Sequence, residues 1–338
     1  MVGEIALRKG YLQDETINSI YFGGGTPSLL NKEDLEFFFN AIYKQFKVDS
    51  EAEITMEANP DDLNENYVFG LAASPVNRLS IGVQSFFDEE LKWMNRAHQA
   101  TQSIAAVKRV QDAGINNVTI DLIYGIPIST TSKWEENINK ALQLNIDHIS
   151  AYCLTVEEKT LLKKLINKGT VNEPDDEVAH NQFNVLIDKL AEAGYEQYEI
   201  SNFARNKKYA IHNSSYWKQQ PYLGIGPSAH SYNIHTRSWN VNNNHLYIKQ
   251  LEEGNTAFET EWLSPENRFN EYIMTSLRTM WGCEKTKLET DFTAQLNKIR
   301  TPLQKLIEEG NLIDTETHYR LAKHARFFAD GISASLFV

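Results

Sequence analysis

The sequence predicts an α/β fold: an open, partial barrel of the TIM type, followed by a small C-terminal helical, winged-helix-like domain. Three observations carry that expectation. Five strand-like segments recur at intervals of roughly 25–40 residues with helical patterns between them, the rhythm of βα units on a parallel sheet. One parity of those strands is apolar and the other is small and polar, unlike the bulky branched filling of a closed eight-stranded barrel. The first of the strands runs directly into three consecutive glycines, Gly23-Gly24-Gly25.

That first strand spans residues 19–22 and is followed by Gly23-Gly24-Gly25-Thr26-Pro27-Ser28. Glycines cost chain entropy and offer no side chain to pack. Three at a strand end suit a ligand lying against bare backbone N–H and C=O groups; a tight strand-to-helix turn is the alternative. A helical pattern at 32–46 leads to a strand at 52–57, a helix at 63–73 and a strand at 77–84. Helices at 88–94 and 101–113, a strand at 117–124, a helix at 131–144 and a strand at 148–154 continue the alternation. Ser and Thr residues before several helices are N-cap candidates. Right-handed crossovers between parallel strands favour a curved sheet.

Parity separates the two faces of that sheet. Ile54, Met56, Leu79, Ile81, Val83, Val118, Ile120, Leu122, Ile149 and Ala151 should meet the outer helices. Thr55, Glu57, Ser80, Gly82, Gln84, Thr119, Asp121, Ser150 and Tyr152 face the other way, and a lumen so lined suits a ligand cavity. Glu57, Gln84, Asp121 and Tyr152 fall near the C-terminal strand ends, where barrel sites are built. Arg96 follows shortly after the third strand. A glycine edge, two carboxylates, a guanidinium and an amide suit a zwitterionic ligand that carries a sugar.

Residues 159–177 read as a mobile connection, broken by Gly169 and Pro174. From Ile200 to Leu251 there is no Asp or Glu, in a chain that holds 45 of them. The same window holds Arg205, Lys207, Lys208, Lys218, Arg237 and Lys249, four histidines, and aromatics including Tyr216, Trp217, Tyr222 and Trp239. It should form a local basic surface, and a flat aromatic ligand with carboxylates, such as a porphyrin, fits it. Residues 222–230 form a second glycine-rich turn, expected to close the barrel side. Helices are expected at 266–281, 286–298, 303–309 and 322–336. Few basic residues lie in them, so packing against the barrel mouth is expected rather than a DNA role.

Composition excludes several classes. A net charge of −12 argues against a general polyanion binder, so no nucleic-acid partner is expected. No apolar run approaches membrane-spanning length, so no transmembrane segment is expected. The two cysteines, Cys153 and Cys283, support neither a disulfide framework nor a four-thiolate metal site. Both should be ordinary buried thiols, and a reducing cytoplasm is the expected compartment.

Five motifs, taken in order along the chain, resemble a known family. They are Phe22-Gly23-Gly24-Gly25-Thr26-Pro27-Ser28-Leu29, Met56-Glu57-Ala58-Asn59-Pro60, residues 78–86 (RLSIGVQSF), Asn95-Arg96-Ala97-His98 and residues 121–127 (DLIYGIP). They resemble radical S-adenosylmethionine (SAM) proteins, in the branch holding oxygen-independent coproporphyrinogen III oxidase and the heme chaperone HemW. The resemblance implies that Gly24 and Gly25 border the SAM amino group, that Thr26 belongs to the same SAM-binding set and that Glu57 helps hold the methionyl part. It implies that Arg96 meets the SAM carboxylate, Asp121 the ribose, and that Gln84 lines the pocket. His212-Asn213-Ser214-Ser215-Tyr216-Trp217 is similar to a motif marking the heme-chaperone members, which makes His212 the candidate axial heme ligand.

The family also implies a [4Fe–4S] cluster held by a Cys-x-x-x-Cys-x-x-Cys loop roughly 40 residues before the glycines. Only 22 residues precede Gly23, and neither cysteine has the spacing. The expectation is a chain inactive in radical chemistry, either truncated or descended without the cluster; the intact SAM-facing residues favour truncation. The expected layout is a radical SAM-type partial barrel over 1–200, a heme-binding extension over 201–262 and the small domain over 263–338. The expected function is heme delivery with heme or porphyrin, and a heme-accepting protein, as partners. The alternative is SAM-dependent oxidative decarboxylation of coproporphyrinogen III.

Overall fold

The structure is a computed structural model that describes residues 1–13, 15–256 and 258–338. Packing divides the chain into two compact units. One comprises residues 21–32 and 54–209, the other residues 1–20, 33–53 and 210–338.

In chain order, α1 (Val2–Leu7) precedes β1 (Ile17–Phe22), and the alternation begins: α2 (Lys32–Gln45), β2 (Val48–Ala58), α3 (Glu65–Ala72), β3 (Arg78–Gln84), α4 (Asp88–Trp93), α5 (Ala100–Asp112), β4 (Asn117–Tyr124), α6 (Thr131–Gln143) and β5 (His148–Cys153). Next come α7 (Leu161–Asn167), α8 (Asp176–Glu192), β6 (Glu196–Gln197) and β7 (Asn202–Ala204). The seven strands form one sheet in the order β1-β2-β3-β4-β5-β7-β6. From β2 to β5 each strand pairs in parallel with the next, and β7 turns back antiparallel on β5. This is the expected partial TIM-type barrel.

The helices start where side chains satisfy their free N–H groups. Asn64 accepts from Tyr67 N before α3, and Thr130 from Lys133 N before α6. The apolar parity is the core: Met56, Leu79, Ile81, Val83, Ile120 and Leu122 are wholly buried. Every residue of β3 is buried, as a central strand covered on both faces requires.

In the other unit, α9 (Ile211–Trp217) is followed by β8 (His230–Tyr232), β9 (Thr236–Asn240), α10 (Asn244–Glu252) and β10 (Phe258–Trp262). These strands form an antiparallel sheet in the order β10-β9-β8. The turn at 222–230 therefore leads into a separate three-stranded sheet that the sequence reading had missed. The tail is α11 (Pro265–Leu277), β11 (Cys283–Glu284), α12 (Lys285–Asp291), α13 (Thr293–Glu308), β12 (Leu312–Asp314), β13 (His318–Leu321) and α14 (Ala329–Ala334). Its strands form the sheet β11-β13-β12, with α11, α12 and α13 packed against them and α14 against α11, a winged-helix-like arrangement.

Local readings need correction in three places. Residues 159–177 hold α7, because Thr160 caps the Lys163 N–H and starts a helix there. The helices expected at 286–298 and 303–309 are α12 and a continuous α13 that runs through Pro302, the break falling instead at Phe292 (φ −135). The helix expected at 322–336 is a 3-10 turn, Lys323–Phe328, followed by α14.

α1 is held in its unit by a buried ion pair. Glu4 and Arg8 are almost fully buried. Glu4 accepts from Gly226 N (2.9 Å), Asn240 Nδ2 (2.7 Å) and the Tyr247 hydroxyl. Arg8 donates to Ser238 Oγ (3.2 Å) and lies between the rings of Tyr11 and Phe258, 4.6 and 4.4 Å from their centroids. Removing one partner strands the other charge. Glu4→Ala should therefore cost about 3–5 kcal/mol; an unchanged urea midpoint would show the network carries no net stability.

Candidate functional site

The first candidate site is built around Glu57 and lies within the unit of residues 21–32 and 54–209. Tyr21 donates its hydroxyl to Glu57 Oε1 (2.7 Å), and Gly24 donates its backbone N–H to Glu57 Oε2 (3.1 Å). One carboxylate thus fastens the glycine loop to β2. The loop can be fastened so closely only because Gly23 has no side chain. A Cβ there would stand 2.4 Å from the Tyr21 ring and 2.8 Å from Glu57 Oε1. Gly24 sits at φ +83, left-handed backbone that glycine adopts without strain. The far end of the loop is held by a second carboxylate. Asp62 accepts from Ser28 Oγ (2.6 Å) and from Asn59 Nδ2 (3.3 Å). Between the two anchors Gly24, Gly25 and Thr26 are exposed.

Asp121 belongs to the same cluster, although it stands in the middle of β4 and not at its end. In register it lies opposite Ser150 of β5, with Tyr152 one step further along. Ser80 donates to both carboxylate oxygens, at 3.3 and 3.2 Å. Protein surrounds the group while part of its surface stays open. That enclosure raises its pKa to about 6, against the lowering effect of the Ser80 bond and with a further rise from the Glu57 charge. The hydroxyls of Tyr21 and Tyr152 are raised by enclosure and by the same two carboxylates, so both stay protonated donors at neutral pH.

Gln84 ends β3 with φ +65, beyond an irregularity in the pairing with β4. It is buried, and its amide nitrogen would stand 2.8 Å from a Cβ at Gly82. Gly82 therefore leaves the room into which the Gln84 amide folds, beside Asn59. Arg96 is exposed on the turn after α4, and nothing described joins it to Glu57 or Asp121. Its turn is fixed by buried His98, whose Nε2 lies 3.1 Å from the Val83 carbonyl. Deeper in the lumen, His148 lies between Thr119 Oγ1 (2.6 Å) and the Tyr198 hydroxyl (2.8 Å). Burial, then the Arg78 charge, keeps His148 neutral.

The sequence reading gave no role to Tyr21 or His148, and took His98 only as the last residue of the Asn95-Arg96-Ala97-His98 motif. Parity could have found His148, which shares a face with Ser150 and Tyr152.

The second candidate site lies on α9, within the unit of residues 1–20, 33–53 and 210–338. Glu53, also missed, shares its parity with Thr55 and Glu57. It accepts the Ile211 and His212 N–H groups, each at 3.0 Å, and so caps α9 in place of the apolar Ala210. His212 has both ring nitrogens engaged: Nδ1 with Ser19 Oγ (3.1 Å) and Nε2 with the Tyr216 hydroxyl (3.0 Å). Tyr216 packs edge-on against Tyr222, ring centres 4.6 Å apart. Burial, then Tyr222, pushes the Tyr216 hydroxyl up to about 12.

The expected basic surface is less basic than its composition, because carboxylates from outside the window neutralise it. Arg205 pairs with Asp147 (2.7 Å), Arg237 with Glu271, and Lys249 approaches Glu253 at 4.0 Å. Lys207, Lys208 and Lys218 remain exposed. Cys283 is a buried thiol, raised by burial to about 12, whereas Cys153 is only half-buried.

Residues 3–141 match the Radical SAM superfamily and residues 263–328 the HemN C-terminal domain. The heme chaperone HemW of Bacillus subtilis is 32% identical over 94% of this chain and 84% of its own length. The chain belongs to the HemW family of radical SAM proteins. HemW of Lactococcus lactis is 35% identical over 84% of the chain and 75% of its own length. Coproporphyrinogen III oxidase (HemN) from Escherichia coli, at 21% identity, matches the fold with a TM-score of 0.84 over the whole chain and 81% of its own.

The family implies SAM and a [4Fe–4S] cluster. The first site fits SAM: an exposed glycine edge between two anchors, with carboxylates at Glu57 and Asp121 for a cationic sulfonium compound. Residues 1–338 do not fit the cluster. Cys153 and Cys283 are their only cysteines and fall in different units, and no three His, Cys, Asp or Glu side chains gather to hold a metal ion among the described residues. Also among the described residues, no helix is long and apolar enough to cross a membrane.

Proposed function

We propose that this protein is a heme chaperone-like radical SAM protein that binds SAM along Gly24, Gly25 and Thr26 and heme at His212. The observation that carries the SAM reading is the shared Glu57 carboxylate, which presents the Gly24 backbone beside Asp121 in one cluster. Glu57 has lone pairs left for the ligand ammonium after binding Tyr21 and Gly24. Asp121 accepts from the ribose hydroxyls, Gln84 lines the pocket, and Arg96 swings to the ligand carboxylate in a two-point grip. For heme, His212 Nε2 exchanges the Tyr216 hydroxyl for iron. The membership of the HemW family and the motif over residues 212–217 support delivery over oxidative decarboxylation, for which the likeness to HemN supports the fold alone.

Asp121 sets the pH dependence of SAM binding. Its free-state pKa is raised to about 6, and a bound cation with donating hydroxyls lowers it. Binding below pH 6 therefore requires release of a proton. Affinity should rise with pH up to about 7 and then level. Calorimetry in buffers of different ionisation enthalpy should detect the proton, and Asp121→Asn should abolish both effects while weakening binding about tenfold or more. A pH-independent affinity in the unmodified protein would remove Asp121 from the site.

His212→Ala should weaken hemin binding and shift its Soret band; an unchanged spectrum excludes His212 as the axial ligand. Residues 1–338 alone should develop no stoichiometric cluster absorbance after anaerobic reconstitution with iron and sulfide, since three thiolates are needed. A stable redox-active cluster on that polypeptide refutes this.

A further inference from the structure

Two buried N–H donors near the C-terminal end of α9 have no acceptor among the described residues: the Trp217 indole Nε1 and the Arg278 guanidinium Nε. Buried donors are almost always paired, and an unpaired one points to strain or to a group supplied from outside. These two are neighbours, with the Arg278 guanidinium carbon 5.3 Å from the centre of the Trp217 ring. Arg278 follows directly on α11, and its Nη1 is occupied by the carboxylate of Asp330. Lys218, next in sequence to Trp217 and exposed, holds its ammonium 4.7 Å from the centre of the ring of Trp281, three residues beyond Arg278. Glu271, a carboxylate of α11, is engaged by Arg237. The place therefore offers two unmet donors and a second cation, and the carboxylate of Asp330 meets a different edge of the guanidinium.

We infer that Trp217, Arg278 and Lys218 form a carboxylate-binding subsite that takes a propionate of a tetrapyrrole. A carboxylate oxygen accepts from Trp217 Nε1 and Arg278 Nε, bonds strengthened by the charges on both sides, and Lys218 neutralises the outer face. Water could also accept from both donors but would bring no charge to answer Lys218. The inference rests on the heme reading for the identity of the ligand, since Trp217 lies on the same seven-residue helix as His212. It assigns a task to residues that the axial-ligand role leaves unused. The flexible arm of a propionate lets this contact form independently of the iron.

The test uses the whole chain and four probes: hemin, metal-free protoporphyrin IX, and the dimethyl ester of each. Trp217→Phe removes the indole donor and keeps the ring; Arg278→Gln removes the cation. Each should weaken binding of both free acids by about tenfold or more, leave both esters unchanged, and leave the Soret position of bound hemin where it was. Equal weakening of acids and esters would mean the residues only support the structure, and no weakening would mean they do not touch the ligand; either result overturns the subsite. The axial reading is judged separately, because His212→Ala should alter hemin and its ester alike while sparing metal-free protoporphyrin IX. If the unaltered protein binds none of the four probes, both proposals fall.

Discussion

The site in the first unit depends on one carboxylate that cannot be moved. A run of three glycines has no side chains with which to hold itself, and its backbone freedom is the greatest any sequence can have. Left alone it would sample many shapes, and a ligand would have to meet the cost of ordering it. Glu57 removes much of that cost beforehand. It accepts the Gly24 N–H on one oxygen and is itself fixed by Tyr21 on the other. The absence of a side chain at Gly23 is part of the same device, because any Cβ would push the loop off the Tyr21 ring. Asp62 repeats the arrangement at the other end through Ser28. What remains between them is a short stretch of exposed backbone held in place.

The small, polar lumen follows from the same need. A closed barrel would fill this space with branched side chains; here Ser80, Thr119, Ser150 and Asn202 are buried instead. Polar groups can be buried so only when they satisfy one another. Thr119 meets His148 and Ser150, Ser150 donates to Asn202 Oδ1 (2.6 Å), and Asn202 in turn donates to Glu199. A neutral His148 suits such a chain, since its two nitrogens divide donor and acceptor duties between Thr119 and Tyr198 without introducing a charge. Asp121 sits at the edge of this network: the protein enclosing it raises its pKa, and the opening leaves part of its surface exposed.

Periodicity in the sequence reports which way a strand residue faces, and for β2 to β5 that was enough to separate core from lumen. Glu57 and Asp121 were legible as lumen residues for this reason. Their separate tasks were not, because Glu57 spends both oxygens on its own chain and nothing local announces that. Asp121 was read as a strand-end residue and is a mid-strand one, since strand ends are set by where pairing stops, not by composition. Arg96 was legible only through its motif; the structure fixes its turn through His98 and leaves its side chain exposed. The short strands of the second unit escaped notice because two- to five-residue segments are too brief to show alternation. Charge suffered most. A window without acidic residues looked basic along the chain, yet Arg205 and Arg237 find carboxylates far away in sequence, where counting along the chain cannot see them.

Glu53 and Glu57 stand four residues apart on β2 and do the same physical job for different backbones. Glu57 receives one N–H from a glycine loop; Glu53 receives two from the first turn of α9. A carboxylate at a helix start is favoured both by the unmet N–H groups and by the helix dipole. Here it replaces the side-chain cap that Ala210 cannot provide. The consequence for His212 is direct. Its backbone is held by Glu53 and its Nδ1 by Ser19, while Nε2 meets the Tyr216 hydroxyl at the end of a rotatable side chain. On the proposed heme reading, an imidazole held on two sides and covered on the third by a displaceable hydroxyl would accept and give up iron without the helix moving, a property that a carrier needs more than a catalyst does.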